Sequence, residues 1–160
     1  GSYRCAHSVG GLVGRAFLQT PGWGKEDARQ CVDKVVTYAT PHNGIEVAGV
    51  NIPSWLSADD MNNFNRIRMA EYLKLDALYK KTDRVDWLPE EAFPSERFFC
   101  MIGSNRGDYE VAMGVSRTFA GHGSDGLVKI ENASVWRVNA KGQVSSTYAT
   151  TSAYPSHAAY

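Results

Sequence analysis

The chain of 160 residues contains no apolar run approaching the roughly 18 to 20 residues that a helix needs to cross a bilayer. No transmembrane segment is therefore expected. A basic start, an apolar core and a small-residue cleavage site are also missing, so no signal peptide is visible and the compartment stays open. Cysteine is scarce. Cys5, Cys31 and Cys100 are too few and too scattered for a disulfide framework, although one pair remains open in an oxidising compartment. Two of them sit inside or beside segments that read as buried, where a free thiol behaves as a small hydrophobe. An excess of one charge is lacking too: 17 Lys and Arg balance 17 Asp and Glu. No overall field then favours nucleic acid or an anionic lipid surface. Internal repeats and low-complexity tracts are absent. What remains, 43% hydrophobic and 21% charged, describes one globular domain over residues 1–160 with enough chain for a substantial core. Asn132-Ala133-Ser134 fits a glycosylation acceptor, a tripeptide frequent by chance that needs a secreted context to matter.

The most informative residues are Cys5-Ala6-His7-Ser8-Val9-Gly10-Gly11-Leu12-Val13-Gly14-Arg15. A serine stands among small residues directly ahead of a helix-compatible run. Where a strand ends, reverses and enters a helix within a few residues, the serine backbone is held in a strained conformation and its Oγ is lifted clear of the sheet. Only small neighbours fit around such a turn. The general pattern is G-x-S-x-G; here Ala6 replaces the first glycine, with Ser8 and Gly10 in register. An ordinary glycine-rich turn before a helix is the plainer reading of the same pentapeptide.

The following residues alternate in type. Residues 3–6 finish a strand, and about 10–19 form a helix with Leu12, Val13, Ala16 and Phe17 on one face. Thr20-Pro21-Gly22 ends it, and Trp23 to Gln30 read as a polar loop. A strand over about 33–39 stops at Thr40-Pro41-His42-Asn43-Gly44, and Phe98-Phe99-Cys100-Met101-Ile102-Gly103 is a further short buried strand. Strand–helix–strand order implies parallel neighbours and a right-handed crossover. Residues 53–92 interrupt this order and read as a helical insertion. Ser57-Ala58-Asp59-Asp60 offers a capped start, and Met61, Phe64, Ile67, Arg68, Tyr72, Leu75 and Leu78 recur at helical spacing.

Three motifs in sequence, A-H-S-V-G-G-L-V-G-R, A-T-P-H-N-G and S-D-G-L-V, resemble the lipase- or esterase-like branch of the α/β-hydrolase superfamily. The resemblance covers roughly residues 3–135 in outline. It implies an α/β fold, a mostly parallel sheet with flanking helices and a helical cap or lid insertion at 53–92. It also implies that the chain corresponds to the family's C-terminal part, truncated ahead of the nucleophile turn. Gly1-Ser2 look like residues left by an expression tag. In such lipases the lid covers the active site, so Trp55, Leu56, Met61 and Phe64 would line an acyl-binding surface; the alternative is that they are the buried stripe of an amphipathic helix.

By the same resemblance the chemistry is ester hydrolysis through an acyl-enzyme, without cofactor or metal. Ser8 is the nucleophile, Asp125 the acid and Val9 the residue whose amide serves the oxyanion hole. Asp125 in Gly123-Ser124-Asp125-Gly126 also makes sense as a turn aspartate. A histidine should act as base. His7 adjoins the nucleophile and points away from it, His42 ends the second strand and borders the site, and His122 lies in the acid loop. His157 is the histidine that follows Asp125, as the family order requires, although the relatives' histidine can also lie beyond Tyr160. The family's second oxyanion donor precedes the serine in a loop not contained here. Some relatives hold a structural calcium near the acid loop, but the spacing of Asp108 and Glu110 does not specify one. The expected partner is a small-molecule or lipid ester, with no nucleic acid, and self-association is expected through exposed sheet edges. Two rivals stay open: an amidase, thioesterase or peptidase on the same scaffold, and a noncatalytic fragment that binds a partner or completes a split enzyme.

Overall fold

A computed structural model of the protein describes residues 1–23, 26–45, 62–103, 133–139, 141–148 and 150–154. Among them the fold is mixed α/β. Strand β1 (Ser2–His7) passes at once into helix α1 (Val9–Gln19), and a short helix α2 (Glu26–Gln30) leads into β2 (Val32–Tyr38). Helices α3 (Arg66–Tyr72) and α4 (Asp76–Thr82) follow, then β3 (Trp87–Pro89), a 3-10 turn at Ser95–Arg97 and β4 (Phe98–Gly103). Strands β5 (Trp136–Val138), β6 (Val144–Tyr148) and β7 (Thr150–Tyr154) complete the described elements.

The main sheet has the order β1-β2-β4-β7 with every pair parallel. In β2 the side chains of Val32, Val35 and Thr37 are buried, and beside them Phe98 and Cys100 of β4 are covered as well. Valines, aromatics and a thiol suit strands buried within a parallel sheet. β1 differs. Among the described strands it stands at the edge, and Tyr3, Arg4, Cys5 and His7 are all exposed. Cys31 is exposed too, which leaves Cys100 as the cysteine that behaves as core. Burial pushes its thiol pKa up to about 11.

A second sheet, β3-β5-β6, was not legible in the sequence; β3 and β5 run parallel, and β6 is antiparallel to β5. Its strands Trp87–Pro89 and Trp136–Val138 have three residues each, too short for a period-2 signal, and their pairing joins distant parts of the chain. β3 therefore belongs to a sheet, within the stretch expected to be a helical insertion.

That stretch departs from one continuous amphipathic helix in another way. Asn65 caps α3 by accepting bonds from the amides of Ile67 (2.9 Å) and Arg68 (3.4 Å). The helix ends at Leu73, and Lys74 takes a left-handed φ of 58° before α4 starts. Met69, Leu73, Leu75 and Phe64 are buried, whereas Ile67 is exposed on the other side. Phe64 is thus core, packed in one cluster with Leu12 and Ala16 of α1. Trp55, Leu56, Met61 and the expected start at 57–60 lie outside the described residues.

Residues 26–30 are helical rather than loop. Glu26 and Asp27 occupy the first turn, where acidic groups suit the helix dipole, and Glu26 pairs with Arg29 at 3.3 Å. On α1 the buried face holds Leu12, Arg15, Ala16, Leu18 and Gln19, while Val13 is exposed.

Candidate active site

Because β1 and β2 are parallel, His7 pairs with Tyr38 and the two strands end together. Ser8 follows one and Ala39-Thr40 the other, at the carboxyl edge of the sheet. In open parallel sheets that edge is where ligands bind. Ser8 has φ 51° and ψ −125°, a conformation that glycine adopts readily and that other residues rarely do. Three contacts impose it. The Ser8 amide donates to Tyr38 O (2.9 Å), the Gly11 amide donates to Ser8 O (3.1 Å), and the Thr40 hydroxyl donates to Ser8 O (2.9 Å). The strand is thereby fixed to its neighbour on one side of the serine and to the helix on the other.

Ser8 is the N-cap of α1, yet its hydroxyl makes no capping bond. Serine at this position normally caps, because its oxygen accepts a bond from the first turn. Here the backbone angle turns the side chain away from that task. Val9 opens α1, so its amide belongs to the first-turn donors that have no intrahelical acceptor. A free hydroxyl next to such a donor, at the positive end of a helix, can attack a carbonyl and support the charge that then forms on its oxygen.

The small residues of the turn have separable causes. A Cβ built on Gly10 would lie 3.6 Å from the Ala6 methyl, an ordinary contact. Alanine at position 6 therefore fits opposite glycine at position 10. Gly11 is the tight position. A Cβ there would sit 2.1 Å from the Thr40 hydroxyl oxygen, which holds Ser8 O.

Below the turn, Arg15 is completely buried. Its guanidinium donates to Gln19 Oε1 (3.0 Å) and to the carbonyls of His42 (2.9 Å), Val85 (2.8 Å) and Trp87 (2.8 Å). Burial brings its pKa down to about 10, with the buried Asp86 carboxylate acting in the opposite direction. Asp86 is itself held by Arg84, with Nε to Oδ1 at 3.1 Å and Nη2 to Oδ2 at 2.5 Å. One side chain thus ties the serine helix to the loop after β2 and to β3. No separate role for Arg15 is legible in the sequence, because its carbonyl partners at positions 42, 85 and 87 come from distant parts of the chain.

His42, in the turn that follows β2, is also completely buried. Its Nε2 lies 2.9 Å from Thr37 Oγ1, and its ring meets Phe98 edge-on at 5.5 Å. Its Nδ1 has no hydrogen-bond partner among the described residues. Burial, reinforced by the Arg15 charge, lowers its pKa well below the usual histidine value and keeps the ring neutral. His7 is exposed at the end of β1.

Asp125, His122 and His157 lie outside the described residues, as do Asp108, Glu110 and Asn132. The structure brings together Ser8, the Val9 amide and Thr40. Among the described residues no group of three or more His, Cys, Asp or Glu side chains is placed to hold a metal ion. No described helix is long and apolar enough to cross a membrane. Comparisons with protein-family models, with curated proteins and with solved structures find no match to this chain.

Proposed function

We propose that the chain is the nucleophile-bearing part of a serine ester hydrolase of the α/β-hydrolase type, lipase- or esterase-like. The observation that carries this reading is the Ser8 backbone at φ 51°, ψ −125° between β1 and α1, with the hydroxyl unused as a cap. Strain of about 1–3 kcal/mol at one residue persists only where surrounding contacts enforce it, and such residues cluster at functional sites.

In the proposed reaction Ser8 Oγ forms a bond to the ester carbonyl carbon while its proton passes to a histidine. The carbonyl oxygen becomes an oxyanion held by the Val9 amide. Collapse breaks the bond to the alcohol oxygen, which leaves with the proton from the imidazolium. Water then repeats the sequence on the acyl-serine, releasing the acid and restoring Ser8. Asp125 and His157 are the proposed acid and base. Tyr154, the last residue of β7, ends at the same edge of the sheet as Ser8, and His157 follows it by three residues in the sequence.

The test is turnover of a p-nitrophenyl ester, with the thioester and anilide of the same acid alongside. Release of p-nitrophenol that is lost in Ser8→Ala supports the reading. A rate unchanged by Ser8→Ala overturns it. Faster turnover of the thioester or anilide would move the activity to a thioesterase or amidase on the same scaffold.

A second reading has its own support in the exposed edge strand β1. Parallel sheets are ordinarily covered on both faces, and four of the six β1 side chains are exposed. On this reading the chain works as a component that a second polypeptide completes. A folded chain that neither turns over esters nor reacts at Ser8 would favour it.

A further inference from the structure

Beside the proposed nucleophile lies an apolar cavity of about 210 Å³ between α1 and the α3 segment. Val9, the residue after Ser8, lines it with Val13 and Ala16 of the same helix and with Trp23, Asn63 and Tyr72. Val9 to Ala16 spans seven residues, so the cavity extends about 10 Å from the serine end at 1.5 Å per residue. Tyr72 stacks on Trp23 with ring centroids 6.4 Å apart. The Tyr72 hydroxyl is committed, donating to Asn63 O at 2.9 Å, and burial pushes its pKa up to about 12. The phenol therefore presents an uncharged ring to the cavity.

We infer that this cavity is the acyl pocket, taking a medium-length, unbranched acyl chain of the ester cleaved at Ser8. The inference rests on the hydrolase reading, to which it adds the substrate class. Three observations favour this occupant. The walls offer hydrocarbon and aromatic surface, which suits methylenes. One end lies at the residue whose amide would hold the same substrate's carbonyl oxygen, so the carbonyl and the chain leaving it meet one contiguous surface. The volume, about 210 Å³, is that of a small apolar ligand. It is below the roughly 300 Å³ at which pockets for larger ligands begin.

The experiment measures kcat/KM for p-nitrophenyl esters from acetyl to dodecanoyl, together with binding of free octanoate by titration calorimetry. Each methylene taken out of water raises kcat/KM by up to about fourfold. The expected result is a rise of at least about tenfold from acetyl to octanoyl and no further rise beyond it. Val13→Trp, at an exposed position on the cavity wall, should remove most of that rise and weaken octanoate at least tenfold. Val13→Ala should move the plateau to longer chains, and it keeps the inference testable if the tryptophan variant does not fold. Turnover with no dependence on chain length, or a dependence that neither Val13 variant alters, overturns the pocket and leaves the hydrolase reading intact. Octanoate binding that is weakened by Val13→Trp, without any ester turnover, supports the apolar-chain site and overturns the hydrolase reading instead.

Discussion

Ser8 adopts its angle because Tyr38 O, Gly11 N and the Thr40 hydroxyl all bond to its peptide groups. Strain held in this way is recoverable by mutation. Ser8→Gly should raise the stability by about 1 kcal/mol in urea unfolding, since glycine enters this region without a Cβ clash, while removing the nucleophile. Equal or lower stability would mean that the backbone stores little there. The two glycines that follow separate cleanly. Gly10→Ala makes only an ordinary contact with Ala6 and should change stability by less than about 0.5 kcal/mol. Gly11→Ala forces a methyl against Thr40 and should cost about 1–3 kcal/mol, with loss of the Thr40 bond to Ser8. The turn was readable in the sequence because its logic is local. Which glycine carries the constraint was not, because Thr40 arrives from 29 residues away in the chain.

At the level of elements, Arg15 and His42 join α1, β2 and β3. Removing the Arg15 guanidinium would leave carbonyls of His42, Val85 and Trp87 without their donor, and the buried Asp86 would keep Arg84 as its paired cation while losing the second positive charge. Arg15→Ala should therefore cost about 3–5 kcal/mol, the usual effect of breaking a buried charged network from one side; a change below 1 kcal/mol by thermal or urea unfolding would contradict this. His42 gives the fold a pH dependence of definite sign. Its folded-state pKa is depressed, so the unfolded chain takes up a proton near pH 6.5 where the fold does not. Stability from the neutral ring is complete above that pH. It falls as the pH drops below, by up to about 1.4 kcal/mol per pH unit. Urea unfolding at about pH 7.5 and about pH 5.5 should show this loss, and His42→Gln, which can still bond Thr37, should show less of it. Neither burial is visible in the sequence, since both depend on which segments close over α1 and β2. The 62–82 stripe shows the same limit. Its apolar spacing is real, but the break at Lys74 and the Asn65 cap divide it into two short helices. The five-residue α2 escaped because a stretch so polar and so short carries no periodic signal.

Over the whole molecule, strand–helix–strand order gave the parallel sheet, while the β3-β5-β6 sheet depends on long-range pairing of the three-residue strands β3 and β5. The edge strand β1 sets the behaviour expected in solution. Tyr3, Val9, Val13 and Trp23 are large exposed apolar side chains on β1, α1 and the loop that follows, and an edge strand whose one charge is Arg4 invites pairing with another chain. Light scattering over a range of concentrations should show association that Tyr3→Lys reduces. A monodisperse monomer at every concentration would count against it. The central claim is that Ser8 is an activated nucleophile, and labelling with a fluorophosphonate probe, located by mass spectrometry, tests it most directly. A single adduct at Ser8, lost in Ser8→Ala, is the predicted result. A folded protein that takes up no probe at Ser8, or labels equally after Ser8→Ala, would contradict it.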